Sequence, residues 1–171
     1  AANIKGVNKA SAAPQAGETG GAAVTGGVEY GKLGDALTAM QSGETVTLLD
    51  DVAENLIFIK NCTVELGEHS ITGMVVIQAD VTFVGGSVDQ GANAVAAIIV
   101  NSGRLTLDGT TVTGDNGISV ETDGNVSIEV GGTVIGTTGY GIRQNKATEN
   151  SDGGTLSVTS KAGARIEAKS V

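Results

Sequence analysis

The sequence predicts an all-β solenoid, and three observations predict it. First, one short pattern is written several times. CTVELGEHSITG (62–73), RLTLDGTTVTG (104–114) and NVSIEVGGTVIG (125–136) each run an apolar-alternating strand, a turn, a second β-branched pair and a Gly. Leu66 to Gly73 and Leu107 to Gly114 are spaced identically, and the third copy carries one extra residue. VTFVGGSVDQ (81–90) is a degenerate copy and TLSVTSKAGARIEA (155–168) a looser one. Repeats of roughly 20 to 30 residues mark units that stack and bury one another. Second, 40% of the residues are hydrophobic while only 2% are aromatic and Trp is absent. The core is then built from Val, Ile, Leu and Ala, which suits narrow stacked strands. Third, 27 Gly with a single Pro fit a backbone that turns every few residues.

The 171 residues suffice for one domain, enough for about six coils of such a stack. A net charge of −9 argues against nucleic acid or an anionic membrane as partner, since a polyanion binder concentrates Lys and Arg. No run approaches the roughly 18 apolar residues of a membrane span. No signal-peptide pattern stands at the start, and prior removal of one leaves secretion open. The lone Cys62 opens a strand in the first copy and reads as a small buried residue; a single Cys builds no disulfide framework.

Residues 1–28 are rich in Ala, Gly, Ser and Asn and carry too little apolar surface to fold alone. They read as a flexible leader or as an extended arm that orders on a partner. In the arm reading Ile4, Lys5, Val7 and Lys9 make the contact, and the β-rich domain is residues 29–171. In KLGDALTAMQSG (32–43) the period changes: Leu33, Ala36, Leu37 and Met40 fall at i, i+3, i+4 and i+7, with Gly43 where a C-cap belongs. This predicts a short helix at about 32–42 that covers the open apolar end of the stack, whose strand edges would otherwise invite association.

Strands follow at ETVTLLDDV (44–52), NLIFIKN (55–61) and TVELGEHSITG (63–73). At this spacing no crossover helix fits between them, and the two-residue Asn-Gly loops of a meander are missing, so a coil with three faces is expected. Here the chain resembles a known family. A short helix followed by GETVTLLDDVAENLIFIKNCTVELGEHSITG looks like the opening of a right-handed parallel β-helix of the pectate-lyase-like type. The resemblance covers roughly residues 30–136 well and the rest loosely. It implies the architecture rather than the chemistry.

MVVIQADVTFVGG (74–86) and AVAAIIVNSGRLTLDG (94–109) continue the alternation. Asn61 and Asn101 fall at matching places between strands, where short amides can stack as a ladder. Residues 145–154 read as a polar loop. ARIEAKS (164–170) reads as a half-exposed final strand with no capping element after it.

The resemblance also raises polysaccharide cleavage, which needs paired carboxylates, or carboxylates holding Ca²⁺ beside a base. The aspartates sit mostly at turns, an ordinary use of Asp. Asp108 and Asp115 are the best pair for a shared edge. The faces between copies present Thr63, Thr106 and Ser127 outwards, not a carboxylate stripe. His69 is the only histidine, which leaves no second imidazole for a zinc site. No phosphate loop or dinucleotide fingerprint is present, so neither cofactor nor metal is expected. For carbohydrate, Phe58 and Phe83 belong to strand patterns and hence to the core, leaving Tyr140 as the one exposed platform for a sugar ring. An ice-binding threonine face is not indicated, because Thr45, Thr47, Thr110, Thr111 and Thr113 follow no regular spacing.

The expectation is therefore a non-enzymatic structural protein. In organisation it resembles phage capsid decoration proteins, head fibres and tail spikes, which pair a small anchoring segment with a β-helical shaft. That resemblance implies a virion or cell-surface location, homo-oligomers, often trimers, and a larger assembly such as a capsid as partner. The alternative is a secreted or cell-surface polysaccharide-binding module, or a weak lyase.

Overall fold

The computed structural model describes residues 20–122, 124–145 and 154–169. The arm residues Ile4, Lys5, Val7 and Lys9, and residues 146–153 of the expected polar loop, lie outside the described residues. Over the described residues the architecture is all-β with one short helix: β1 (Ala23–Thr25), β2 (Val28–Tyr30), α1 (Leu33–Ala39), β3 (Thr45–Leu48), β4 (Val52–Ala53), β5 (Leu56–Phe58), β6 (Cys62–Gly73), β7 (Val75–Ile77), β8 (Val81–Gln90), β9 (Ile98–Val100), β10 (Gly103–Gly114), β11 (Ile118–Glu121), β12 (Val126–Gly136), β13 (Ile142–Asn145), β14 (Leu156–Ser160) and β15 (Arg165–Ala168).

The strands form two sheets. The larger has the order β14-β12-β10-β8-β6-β3-β1-β2, with β15 also on β12 and β4 also on β6; the smaller runs β13-β11-β9-β7-β5. Each long strand of the large sheet is followed by a short strand of the small one, and every pairing is parallel except those of β1 with β2 and β3. Alternate residues of each strand point inwards. They stack in columns such as Val64–Phe83–Leu107–Val130 and Leu56–Val75–Ile98–Ile118. Every member of these columns is buried, and full burial of one such side chain is worth about 1.5–3 kcal/mol. Phe58 and Phe83 are core residues, as expected, and pack edge to face with ring centroids 5.5 Å apart.

Polar side chains hold the corners between strands. Asp51 Oδ1 accepts the Ser70 N–H at 2.8 Å, and Asn55 Oδ1 that of Met74 at 2.9 Å. Asn61 Oδ1 accepts the Asp80 N–H and Asp80 Oδ1 that of Arg104, both at 3.0 Å. Asn116 and Asn125 receive the N–H groups of Tyr140 and Thr155 in the same way, also at 3.0 Å. Backbone donors at bends have no strand partner, and a short side-chain oxygen one repeat earlier satisfies them.

Four expectations are corrected. Asn101 is not Asn61's counterpart; Asp80 stands there, while the Asn101 backbone N–H donates to Ile77 O. The 44–52 strand breaks in two, because the chain bends at Leu49–Asp51 between β3 and β4. The helix ends at Ala39 with Met40 as C-cap, and Gly43, at φ 90, instead forms a turn whose N–H donates to Asn61 O. The last part of the presumed arm belongs to the sheet: β1 runs antiparallel to β3, Ala23 is fully buried, and Thr25 Oγ1 donates to Thr45 O at 3.0 Å.

Candidate functional site

The helix α1 is held by charges that come from the turns on either side of β5. Lys32 at its N-cap contributes no side-chain hydrogen bond. Instead the Glu54 carboxylate, just after β4, accepts the N–H groups of Leu33 (2.8 Å) and Gly34 (3.0 Å). At the other end Lys60 Nζ donates to the carbonyls of Thr38 and Met40, both at 2.8 Å. An anion at the amino end and a cation at the carboxyl end both oppose the helix dipole. Leu33, Ala36, Leu37 and Met40 face the core, as the helical spacing predicts.

The helix does not cover everything beneath it. Between α1 and β5 lies an apolar groove of about 370 Å³, lined chiefly by Leu37, Met40, Leu56, Ile57, Phe58 and Ile59. Ile57 and Ile59 remain 56% and 66% exposed. Among the described residues β5 is an edge strand, paired with β7 alone. The N–H of Leu56 donates to Met74 O and the carbonyl of Phe58 accepts from Gln78 N, so these two residues face β7. In a parallel ladder the intervening residue faces the other way. The N–H and C=O of Ile57 therefore point away from β7.

A second concavity is polar. A cleft of about 620 Å³ at the ends of β8 and β10 is lined by Asp89, Gln90, Asn93, Thr113, Asp115 and Thr137, among others. Gln90 organises it, accepting the Asp115 N–H through Oε1 and donating to Ala94 O through Nε2, each at 2.6 Å. Asp89 accepts the Ser87 hydroxyl at 2.9 Å. Asn93 has φ 66, the one left-handed residue other than glycine among those described. Tyr140 is 60% exposed and stands in the loop that begins with Thr137. Its ring lies outside the cleft's lining.

The suggested Asp108 and Asp115 pair is not brought to one edge. Asp108 sits mid-strand opposite Val84 and Gly131, whereas Asp115 lies beyond the far end of β10, beside Gln90. Ser127 pairs with Arg104, not with the Thr63–Thr106 register. That register holds a column the sequence spacing hid: Thr45, Thr63, Thr82 and Thr106 stand in line, followed by Glu129 and then Thr159. Irregular loop lengths between the strands scramble their spacing.

His69 sits at a corner with Nδ1 3.6 Å from Asp51 Oδ1. Cys62 is buried, and burial pushes its thiol up to about 11. Among the described residues no three His, Cys, Asp or Glu side chains gather as a metal site, and no helix is long and apolar enough to cross a membrane. No protein-family model, curated protein or solved structure matches the chain.

Proposed function

We propose that this chain is a non-enzymatic structural protein, a right-handed parallel β-helix that takes its place in a larger assembly of the virion-surface or surface-layer kind. The alternation of long and short strands between two parallel sheets, with inward columns kept in register, supports the β-helix reading. The observation that carries the assembly reading is the apolar groove beside the open edge of β5. A sheet edge flanked by exposed isoleucines is a template for a further strand. The helix above it is pinned at both ends, so the receptor is preformed and binding orders little of it.

The segment before Gly20 supplies the docking arm in this reading, and self-association as a trimer or larger is the expected form. Sedimentation of the full chain against residues 20–171 tests it. The cut falls at 20 rather than 29 because removing Ala23–Val28 would take β1 out of the sheet.

The polar cleft favours a second reading, a polysaccharide-binding module with Tyr140 as the stacking platform. Titration with an oligosaccharide panel separates the two. Binding weakened by Asp115→Ala and by Tyr140→Ala, but not by Asp108→Ala, would support it.

A further inference from the structure

We propose that the groove between α1 and β5 receives residues 2–7 of a second copy of this chain as an added strand on β5. The proposal rests on the assembly reading and names its docking surface. The β5 edge offers the backbone N–H and C=O of Ile57, and an incoming extended segment pairs with them as any sheet neighbour would. The side-chain requirement comes from the groove, whose wall is Leu37, Met40, Ile57 and Ile59.

Residues 1–19 contain only two large apolar side chains, Ile4 and Val7. In an extended strand Ile4 shares its face with Ala2 and Gly6, so one bulky knob stands between two small neighbours while Asn3 and Lys5 turn away. That is the pattern a narrow apolar groove accepts. Charge favours the same occupant. Of the ten basic residues Lys5 and Lys9 lie in residues 1–19, against one of the nineteen acidic ones, Glu18. A basic segment thus meets a net-acidic chain, and Lys60, the one charged residue lining the groove, is already engaged by the Thr38 and Met40 carbonyls. Reach is no obstacle, since the thirteen steps from Val7 to Gly20 span roughly 40 Å when extended. A second copy is the donor in the assembly reading, and the same-chain alternative is an outcome of the test.

The test is site-directed disulfide trapping between differently tagged full-length chains, one carrying Ile4→Cys and the other Ile59→Cys. Position 59 is 66% exposed, so the substitution spares the core, and Cys62 is buried and stays silent. Val95→Cys, at a site 49% exposed and outside the groove, is the control acceptor. The expected result is a mixed 4–59 disulfide at least tenfold more abundant than the 4–95 product. A chain carrying both Ile4→Cys and Ile59→Cys that closes within a monomer overturns the exchange. Equal 4–59 and 4–95 yields, or no 4–59 product from a chain that still sediments as an oligomer, overturn the groove as the docking surface while leaving the assembly reading intact. No product from a monomeric chain overturns both.

Discussion

The Glu54 carboxylate accepts the Leu33 N–H at 2.8 Å, and its second oxygen takes the N–H of the next residue, so the first turn of α1 is capped from the turn after β4. A seven-residue helix is too short to stand on propensity, and its stability in place comes from packing and from such contacts. Glu54→Ala should cost about 1–2 kcal/mol, and Glu54→Gln, which keeps one acceptor, less. Lys60→Met removes the donor to Thr38 O and Met40 O and should cost about 1 kcal/mol. Urea denaturation checks all three, with midpoints shifted and slopes unchanged.

Thr110 Oγ1 is fully buried and has no hydrogen-bond partner among the described residues. Valine has nearly the same shape without the hydroxyl. Thr110→Val should therefore stabilise the fold by about 1 kcal/mol. A lower denaturation midpoint for the variant would contradict it.

Two glycines at one corner should respond differently to alanine. A Cβ on Gly132 would run into the backbone oxygen of Thr110, whereas a Cβ on Gly109 meets nothing within 4 Å and only its φ of 74 resists substitution. Gly109→Ala should cost about 1–2 kcal/mol. Gly132→Ala forces the backbone apart and should cost about 3 kcal/mol or more. Comparable losses for both in thermal denaturation would show that packing at this corner is not what selects Gly132.

Burial lifts the Cys62 thiol from 9.0 to about 11, so the folded state keeps its proton where the unfolded state loses it. The stability linked to this group is fully present below pH 9.0 and is lost as pH rises through about 11. By pH 10.5 the loss should approach about 2 kcal/mol, and Cys62→Ala should flatten that alkaline limb. At pH 8 the native thiol should react with a disulfide reagent at least a hundredfold more slowly than in denaturant.

The fold was legible because its core obeys a simple pattern. Strand patterns placed Phe58 and Phe83 in the core, and the 3.6-residue spacing placed Leu33 and Leu37 on the buried face of α1. The register was less legible. The match of Leu66–Gly73 to Leu107–Gly114 holds after the corner, where Ile71 and Val112 both pair with Val88, but before it Leu107 pairs with Phe83 and thus stacks over Val64. Additional residues bulge at the 65–70 corner, and a corner takes extra length with little cost to the strands either side.

The candidate site was legible only in part. Tyr140 was open in the sequence between a coil edge and an exposed platform, and the structure leaves it 60% exposed. The groove was not foreseen. It depends on where α1 stops relative to β5, and hence on Glu54 and Lys60, whose roles arise from contacts about twenty residues away in sequence. The Asp108 and Asp115 pair failed because seven positions along a strand whose register shifts after Asp108 leave Asp108 mid-strand and carry Asp115 past its far end.

The assembly claim is tested most directly by the sedimentation-equilibrium mass of the full chain beside that of residues 20–171. The account predicts a trimer or larger for the full chain and a folded monomer, with an unchanged far-ultraviolet circular dichroism spectrum for the strands, once residues 1–19 are gone. A full chain that stays monomeric at concentrations of about 100 μM, well above the micromolar affinities of ordinary protein interfaces, would contradict it.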